Sequence, residues 1–461
     1  MKFPKDFIWG AAASSYQIEG AAYHQGGGRS VWDMMARHEG KIVNNESGDI
    51  ACDHINRFRE DVSLMSDVGL QAYRFSVSWP RVLPEGVGRV NEKGLDFYSQ
   101  LVDELLEHNI TPWATLFHWD FPYDLYCRGG WLNRDSADWF ADYTAIIVDK
   151  LSDRVSHWCT LNEPQVYIGL GHLGGIHAPG LQMGISEALL AGHHTLLAHG
   201  KAVQVIRARS EHESIISASH AGNYFMPDVE QRELDVEAAR KMNFSIQSKD
   251  FFNNTWFSDP MVLGEYPQDG VELFGADMPH IEPGDMRTIC QQLDYFGTNI
   301  YWGRYVRGHE DGTAEIIERE DLDETDLGWP VTPEVMYWAP KFYTERYHLP
   351  LVITENGLAN ADTEEDEFIN DAARINFHRQ YISEFGRGIQ DGVPNIGYFL
   401  WSLMDNFEWA EGYSKRFGMV HIDYDTQQRT LKDSAYWYSH VIASGEVTDG
   451  NPRSLPNRAI A

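Results

Sequence analysis

Short apolar runs alternate with helix-like stretches along almost the whole of this 461-residue chain. The strand-like runs lie at residues 7–12, 72–78, 111–117, 157–162, 215–220, 295–300, 351–355 and 396–402. Apolar side chains recur at helical spacing over 92–109, 135–151 and 188–209, and every run but the last is followed by a segment that can hold a helix. Because strand–helix alternation builds parallel sheets, eight strand-like runs predict an α/β fold, a single (β/α)8 TIM barrel.

The spacing between the runs also predicts the domain organisation. The sequence shows no linker, low-complexity segment or short repeat. We therefore expect one barrel domain over residues 1–445 and an irregular tail over 446–461, which is rich in Pro, Asn and Gly. The long segments 26–48, 258–284 and 309–332 are interpreted as βα loops. Since βα loops and the active sites of such barrels both lie at the carboxyl ends of the strands, we expect these loops to form the wall around the mouth of the barrel.

Composition excludes several classes of partner. The formal net charge is −32, which repels nucleic acid and anionic membranes at long range. No apolar run reaches transmembrane length, and the N-terminal residues lack the apolar region of a signal peptide. The 4 cysteines are widely spaced, as in a protein with reduced thiols. We therefore expect a cytoplasmic protein that binds no nucleic acid and no membrane, and we leave homo-oligomer formation open.

A glutamate follows each of two predicted strands at the point where the strand ends. Glu163 comes directly before Pro164, which cannot donate to a sheet ladder and so ends the strand. Glu355 follows an apolar run that Gly357 bounds on its other side. Because the carboxyl ends of barrel strands carry the chemistry, we expect the two carboxyl groups to face each other at one end of the barrel.

Other polar and aromatic side chains are predicted at the same strand ends. The residues themselves indicate Gln17, Arg74, His118, Asn162, Trp401, Glu408 and Trp409. Burying many polar groups costs free energy unless they bind one another or a ligand. Two carboxyl groups with amides, a histidine and tryptophan rings fit glycoside hydrolysis, in which one carboxylic acid protonates the leaving oxygen. Arg74 is expected to keep one of the two glutamates ionised.

Two further patterns are interpreted as structural. Residues 169–174 match G-x-G-x-x-G, but they do not directly follow a strand, and Pro179 interrupts any following helix. His193, His194 and His199 share one predicted helix at a spacing that suits zinc poorly. We therefore expect neither a cofactor nor a metal.

Several motifs together resemble those of glycoside hydrolase family 1, the β-glucosidase family. They are Phe-Ile-Trp-Gly at 7–10, Gln-Ile-Glu-Gly at 17–20, Tyr-Arg-Phe-Ser at 73–76, Thr-Leu-Asn-Glu-Pro at 160–164, His-Ala-Pro-Gly at 177–180, Ile-Thr-Glu-Asn-Gly at 353–357 and Asn-Phe-Glu-Trp at 406–409. The resemblance covers almost the whole chain. It implies a TIM barrel and hydrolysis with retention of configuration, with Glu163 as acid/base and Glu355 as nucleophile.

The same resemblance implies which residues bind substrate. Arg74 and Tyr301 resemble the groups that steady the nucleophile, and Trp329 lies where the family places an aromatic residue beside the leaving group. The implied glycone subsite consists of Gln17, His118, Trp119, Asn162, Asn299, Tyr301, Trp401, Glu408, Trp409 and Phe417.

The expected function is that of a retaining β-glucosidase. It would remove terminal non-reducing β-D-glucosyl residues from cello-oligosaccharides and aryl β-glucosides, with β-galactosides and β-fucosides as further candidates. Glu408 favours an unphosphorylated sugar, because a carboxylate repels a phosphate on C6. One alternative is a 6-phospho-β-glucosidase, since Lys415 occurs nearby. The other is a catalytically silent sugar-binding protein on the same fold.

Overall fold

The computed structural model describes residues 1–21, 24–365 and 368–449. Its centre is a closed barrel of eight parallel strands, which follow one another around the cylinder in chain order. They are β1 (Ile8–Ala13), β2 (Ala72–Ser76), β3 (Thr111–Thr115), β4 (His157–Asn162), β5 (Ile215–His220), β6 (Phe296–Asn299), β7 (Leu351–Asn356) and β8 (Asn395–Trp401). Each predicted run overlaps one of these strands, and the predicted (β/α)8 TIM barrel is confirmed.

A long helix follows every barrel strand. These helices are α1 (His54–Val68), α2 (Glu92–Glu107), α3 (Ser136–Leu151), α4 (Ile185–Arg209), α5 (Glu233–Asn243), α6 (Val335–Tyr347), α7 (Ala372–Gln390) and α8 (Asp433–Ser444). Shorter helices lie in the connections at Ser15–Ile18, Val31–Met35, Trp79–Val82, Tyr123–Tyr126, Pro164–Ile168, Ser258–Val262, Gln268–Phe274 and Asp285–Ile289. The predicted helices over 92–109, 135–151 and 188–209 correspond to α2, α3 and α4.

The expectation that the last strand lacks a following helix is wrong. Within α8, Ala435, Tyr438 and Val441 recur at helical spacing and are buried. The helix packs against α1 and α7 and so closes the outer ring. A long connection separates it from β8 and contains the hairpin of Val420–Ile422 with Arg429–Leu431. This insertion interrupts the strand–helix alternation in the sequence.

Apolar side chains fill the inside of the barrel. Trp113 on β3 lies against Phe399 on β8, with ring centroids 4.8 Å apart, although these strands are not neighbours. The contact therefore crosses the interior. Gly10 on β1 makes room for it, because a Cβ at this position would lie 2.5 Å from the Phe399 ring. A second, larger apolar cluster lies between the strands and the helices.

The strands that carry the two glutamates have irregular ends. The register of β4 on β5 shifts between Cys159 and Asn162, next to Glu163. The register of β7 on β6 shifts between Ile353 and Glu355. Irregularities of this kind bend a strand and re-aim its side chains. Both therefore lie where they affect the direction of a carboxyl group.

Several smaller features complete the fold. A sheet outside the barrel consists of Phe225–Pro227, Arg304–Gly308 and Ala314–Ile317, and α5 packs against it. Near the C-terminus, Gly445 accepts a hydrogen bond from the N–H of Phe3 over 2.9 Å. The predicted tail, 446–461, lies outside the described residues from 450 onward. Within the part that the structure describes, no helix combines the length and apolar character that a bilayer crossing needs.

Candidate active site

A cavity of about 390 Å³ lies at the carboxyl ends of the barrel strands. Most of the predicted site residues line it: His118, Trp119, Glu163, Asn299, Tyr301, Trp329, Glu355, Trp401, Glu408, Trp409 and Phe417. Gln17, Arg74 and Asn162 are buried behind the wall, and each is hydrogen-bonded to a residue that lines the cavity. The structure therefore brings all the predicted residues together around one space.

Both carboxylate oxygens of Glu355 accept hydrogen bonds. The Arg74 guanidinium donates to Oε1 over 2.7 Å, and the Tyr301 hydroxyl donates to Oε2 over 2.9 Å. Arg74 belongs to β2 and is buried, so little water weakens the ion pair. Two donors on two oxygens hold the carboxylate in one orientation and favour its ionised form.

Glu163 has a different environment. Its φ of 49° lies in the left-handed region, which a non-glycine residue adopts at a cost, and Pro164 begins a short helix directly after it. The Asn299 side-chain amide donates to Glu163 Oε1 over 2.8 Å. Burial, and after it the charge of Glu355, raise the pKa of Glu163 to about 8. Glu163 is therefore protonated at neutral pH.

The pKa of Glu355 is also raised by burial, but there the Arg74 charge and the hydrogen bonds from Arg74 and Tyr301 act in the opposite direction. The two carboxyl groups share one low-dielectric cavity, where ionising both at once is unfavourable. Since the cation and the hydroxyl contact Glu355, the shared charge belongs on Glu355 and the shared proton on Glu163.

Amide groups connect the two glutamates from behind. Asn162 Oδ1 accepts from Arg74 over 2.6 Å and from Asn299 over 3.1 Å. Thr354 in turn donates to Asn299 Oδ1 over 2.6 Å. A continuous hydrogen-bond chain thus runs from Glu355 through Arg74, Asn162 and Asn299 to Glu163. It limits the relative movement of the two carboxyl groups.

His118 is neutral in this cavity. Burial, and then the Arg74 charge, lower its pKa well below the ordinary value. The Asn162 side-chain amide lies 3.1 Å from Nε2 of His118. Because the neighbouring amide nitrogen is a donor, Nε2 is the acceptor and the ring proton is on Nδ1. His118 therefore lines the cavity as a neutral imidazole that carries its one N–H on Nδ1.

Glu408 and Gln17 form a second polar end of the cavity. The Gln17 side-chain amide donates to Asn406 Oδ1 over 3.0 Å, to the Phe407 carbonyl over 2.9 Å and to Glu408 Oε2 over 3.3 Å. Burial, followed by the charges of Glu355 and Glu411, raises the pKa of Glu408 to about 8. Glu408 therefore offers both a hydroxyl and a carbonyl oxygen to a ligand at neutral pH.

Aromatic rings form the walls between these polar groups. The Trp119 and Trp409 ring centroids lie 4.5 Å apart, and His118 lies 5.7 Å from Trp401 at an interplanar angle of 22°. Both Trp119 and Trp409 have positive φ, at 81° and 48°. Trp329 packs against Tyr301 with centroids 5.3 Å apart. Flat apolar faces next to polar groups suit the C–H faces and hydroxyls of a sugar.

The outer part of the cavity contains residues that the sequence did not indicate. They are Val166, Leu170, Ile176, His177, Asn223, Phe252, Trp302, Arg304 and Leu327. These residues come from connections after different strands, and most have no distinctive sequence pattern around them. The exception is His177, which belongs to the His-Ala-Pro-Gly motif at 177–180.

The three long segments contribute unequally to this wall. Segment 309–332 supplies Leu327 and Trp329. Segment 26–48 supports the wall from behind, where Trp32 packs on Trp409 with centroids 4.6 Å apart. Segment 258–284 follows α5 rather than a strand, and none of its residues lines the cavity. The expectation that all three face the mouth is therefore wrong for 258–284, because four helices divide the β5–β6 connection.

The histidines set aside in the sequence have structural partners. His193 contacts Asp285 at 2.9 Å, His194 contacts the Trp131 carbonyl at 2.9 Å and His199 contacts Thr160 at 2.7 Å. Each pairing joins α4 to a different segment of the chain, so these side chains fix the helix in place.

One group of described residues, Asp362, Asp405 and His421, has the side-chain types and spacing of metal ligands. Lys432 already lies 2.7 Å from Asp362 and 2.8 Å from Asp405, and Arg416 also pairs with Asp405. Two protein cations therefore occupy the positions that would neutralise these carboxylates, and the arrangement fits a buried ion-pair network.

Comparison with known proteins extends over nearly the whole chain. Residues 1–447 match the family model of Glycosyl hydrolase family 1. The 1,4-beta-D-glucan glucohydrolase of Thermotoga neapolitana is 47% identical over 452 residues, covering 97% of this chain and 100% of that protein. Beta-glucosidase A of Thermotoga maritima is 46% identical over 452 residues, covering 97% of this chain and 99% of that protein.

Solved structures give the same result. A family 1 β-glucosidase from Thermotoga maritima matches with a TM-score of 0.89 at 45% identity, covering 97% of this chain and 99% of that one. The structure of a β-glucosidase from the same organism in complex with glucoimidazole matches with a TM-score of 0.88 at 45% identity, covering 96% and 99% of the two chains. The motifs, the barrel and these matches agree that the chain belongs to glycosyl hydrolase family 1.

Proposed function

We propose that this glycoside hydrolase is a retaining β-glucosidase that releases terminal non-reducing β-D-glucosyl residues from cello-oligosaccharides and aryl β-glucosides. One observation carries the proposal: a glutamate held by a buried arginine and a tyrosine shares a cavity with a second glutamate whose pKa is raised to about 8. A fixed carboxylate and a protonated carboxylic acid are the two groups that a double displacement needs.

The reaction then proceeds in two steps. In the first, Glu163 donates its proton to the glycosidic oxygen while a carboxylate oxygen of Glu355 bonds to the anomeric carbon, and the leaving group departs. In the second, ionised Glu163 takes a proton from water, whose oxygen displaces Glu355 from the anomeric carbon. The sugar leaves with its original configuration, and Glu163 is protonated again.

The glucosyl unit is assigned to the inner end of the cavity. Gln17, His118, Asn162, Asn299 and Glu408 supply hydrogen bonds to the sugar hydroxyls, directly or through the residues that they orient. The rings of Trp119, Trp401, Trp409 and Phe417 supply apolar faces, with Tyr301 beside the nucleophile and Trp329 on the leaving-group side. No step in this scheme needs a metal or a cofactor.

The alternative functions receive less support. Lys415 donates to the Asp326 carbonyl over 2.7 Å and is not among the cavity-lining residues, whereas Glu408 is. A phosphate on C6 would therefore not pair with Lys415, and it would lie beside Glu408, whose ionised form repels it and whose protonated form gives it no counter-charge. The silent-binder alternative is disfavoured because both glutamates are present and lie in one cavity.

The names of the relatives agree with a β-glucosidase. They include a 1,4-beta-D-glucan glucohydrolase, a Beta-glucosidase A and, at 38% identity, a bifunctional beta-D-glucosidase/beta-D-fucosidase of Bifidobacterium breve. We therefore keep β-fucosides and β-galactosides as further candidate substrates. A single domain over 1–445 and a cytoplasmic location stay predictions from the sequence, and homo-oligomer formation stays open.

The test is turnover of an aryl β-glucoside by the wild type and by Glu355→Ala, each with and without azide. We expect an active wild type, a variant that loses activity, and recovery with azide that yields an α-glucosyl azide, because the small anion enters the space of the missing carboxylate. An inactive wild type on glucosides, galactosides and fucosides contradicts the proposed activity. Near-wild-type activity of Glu355→Ala contradicts the assigned nucleophile.

A further inference from the structure

A second cavity, of about 160 Å³, adjoins the outer part of the active-site cavity. The two share three wall residues, Asn223, Phe252 and Arg304. The remaining walls of this side cavity come from 242–254, which comprises the end of α5 and the segment after it, and from the strands at 225 and 316. Its volume is far below that of the main cavity and corresponds to one ring rather than a chain of rings.

The lining of the side cavity is polar with two aromatic rings. Gln247, Asn253 and Asn254 provide amides, Ser245 and Ser248 provide hydroxyls, and Phe225 and Phe252 provide rings. The charged residues in its lining are one cation, Arg304, and one anion, Asp250, so the formal charge is balanced. Neutral hydrogen-bonding groups beside aromatic faces suit an uncharged sugar better than an ionic or a purely apolar ligand.

Asn254 carries an unused acceptor at the boundary of the two cavities. The residue is 2% exposed, and its side-chain amide nitrogen donates to the Asn223 carbonyl and to Asn243. Its Oδ1 has no hydrogen-bond partner among the described residues. A Cβ on Gly222, which lines the main cavity, would lie 1.7 Å from this oxygen. The Gly222 backbone therefore covers this oxygen and closes the boundary between the two cavities here, so a chain that passes from one to the other runs beside the shared residues Asn223, Phe252 and Arg304.

Arg304 connects the two cavities on their outer side. Its guanidinium lies over the Trp302 ring, with Cζ 5.3 Å from the ring centroid, and Trp302 lines the main cavity. Arg304 is exposed, and its side chain lines both cavities. A planar group stacked on a ring and free to donate at its edge suits hydroxyls that pass from one cavity to the other.

We propose that the side cavity binds the third sugar unit of a β-1,4-linked glucan, counted from the non-reducing end. This inference rests on the proposed function, in which the first unit bonds to Glu355 and the second is the leaving group beside Trp329. The third unit then leaves the main cavity between Asn223, Phe252 and Arg304. The side cavity thus favours cellotriose and longer chains over cellobiose.

The test blocks the side cavity without touching the glutamates. Ser245→Trp places a large ring in the side cavity, and Ser63→Trp, at an exposed position on α1, is the matched control. The measured quantity is kcat/KM for cellotriose divided by kcat/KM for cellobiose, with an aryl β-glucoside as a third substrate. We expect a wild-type ratio well above one and a fall of about tenfold in Ser245→Trp, with the ratio unchanged in the control.

Binding to inactive protein gives a second readout. The measured quantity is the Kd of cellotriose and of cellobiose. Glu355→Ala is expected to bind cellotriose more tightly than cellobiose, and the double variant Glu355→Ala with Ser245→Trp is expected to bind the two with similar Kd. Equal ratios in wild type and Ser245→Trp, with normal hydrolysis of aryl β-glucosides, overturn the third-unit site and leave the proposed function standing. A wild type that hydrolyses no β-glucoside overturns both.

Discussion

Three buried carboxyl groups, Glu163, Glu355 and Glu408, share the active-site cavity, and burial raises the pKa of each. Only Glu355 contacts a buried cation, Arg74. The resulting difference between a held charge and a held proton is what separates a nucleophile from an acid. The difference arises from the contacts of Glu355 with Arg74 and Tyr301, because the three side chains are chemically identical.

The pH profile should therefore have an alkaline limb set by Glu163. Because its folded pKa is about 8, the acid form is lost as the pH rises through that value. We expect kcat/KM for an alkyl β-glucoside, whose leaving group needs a proton, to fall above pH 8. With Glu163→Gln the alkaline limb should disappear together with most of the activity. An unchanged alkaline limb in a variant with residual turnover contradicts this assignment.

The same pKa shift affects stability. The pKa of Glu163 is about 8 in the folded chain but has its ordinary value of 4.5 when the chain is unfolded, so the folded state binds more protons between these two pH values. Stability from this group is therefore lost as the pH rises from 4.5 to 8. We expect Glu163→Gln to raise Tm relative to wild type at pH 8 but not at pH 4.5. Glu107→Gln, at an exposed position on α2, is the control and should change Tm at neither pH.

Arg74 should affect both the rate of the reaction and its pH dependence. Arg74→Met should lower kcat roughly a hundredfold and move the acid limb of the pH profile upward, because Glu355 loses the cation that favours its ionised form. Arg81→Met is a matched control, since Arg81 is also buried and pairs with Glu19 at 2.8 Å. Both variants should lose stability. A similar shift of the acid limb in both would assign the effect to general disruption.

At the scale of elements, a helix end holds the loop that carries Phe417. Arg374, in the first turn of α7, pairs with Asp371 at 3.0 Å and donates to the carbonyl of Leu358 over 2.6 Å and of Phe417 over 3.1 Å. Asp405 accepts from the Gly418 N–H over 3.0 Å. The buried ion pairs thus connect α7 to the connection after β8, which forms one wall of the cavity.

Removing that arginine should affect both stability and substrate binding. Arg374→Met is expected to cost about 3–5 kcal/mol, because it removes the cation that pairs with the buried Asp371 carboxylate. It should also raise KM more than it lowers kcat, since Phe417 lines the cavity wall that we assign to the sugar and does not contact either catalytic glutamate in the proposed scheme. Arg379→Met on the same helix removes an exposed pair with Asp449 and should cost under about 1 kcal/mol. Urea unfolding and steady-state kinetics of both variants test this.

At the scale of the whole molecule, barrel closure joins the two ends of the described chain. β1 pairs with β8 from Ile8 with Gly397 to Ala12 with Trp401. The Tyr438 hydroxyl on α8 donates to the Gly10 carbonyl over 2.9 Å. The first strand therefore cannot leave the barrel without losing its contacts with the last strand and the last helix.

We therefore expect one cooperative unfolding transition. Tryptophan fluorescence and far-ultraviolet circular dichroism should give the same midpoint in urea, as a single domain over 1–445 requires. Tyr438→Phe should lower that midpoint by the equivalent of about 1 kcal/mol without splitting the transition. Two separate midpoints would contradict the single-domain prediction.

The sequence by itself determined the barrel and the positions of its chemistry. Strand and helix periodicities are local, so eight runs and the two glutamates at the carboxyl ends of β4 and β7 could be predicted from short stretches. The helical pattern of Ala435, Tyr438 and Val441 is equally local. We do not predict α8 from the sequence, because a long insertion separates this pattern from β8.

Only the tertiary structure decided which groups contact one another. Arg74 and Glu355 are 281 residues apart, and their 2.7 Å contact exists because the barrel closes. The raised pKa of Glu163 depends on burial by many surrounding segments, and the side cavity depends on how 242–254 packs beside the barrel. Contacts, dielectric environment and cavity shape depend on how distant segments pack once the barrel has closed. A local sequence pattern therefore does not predict them.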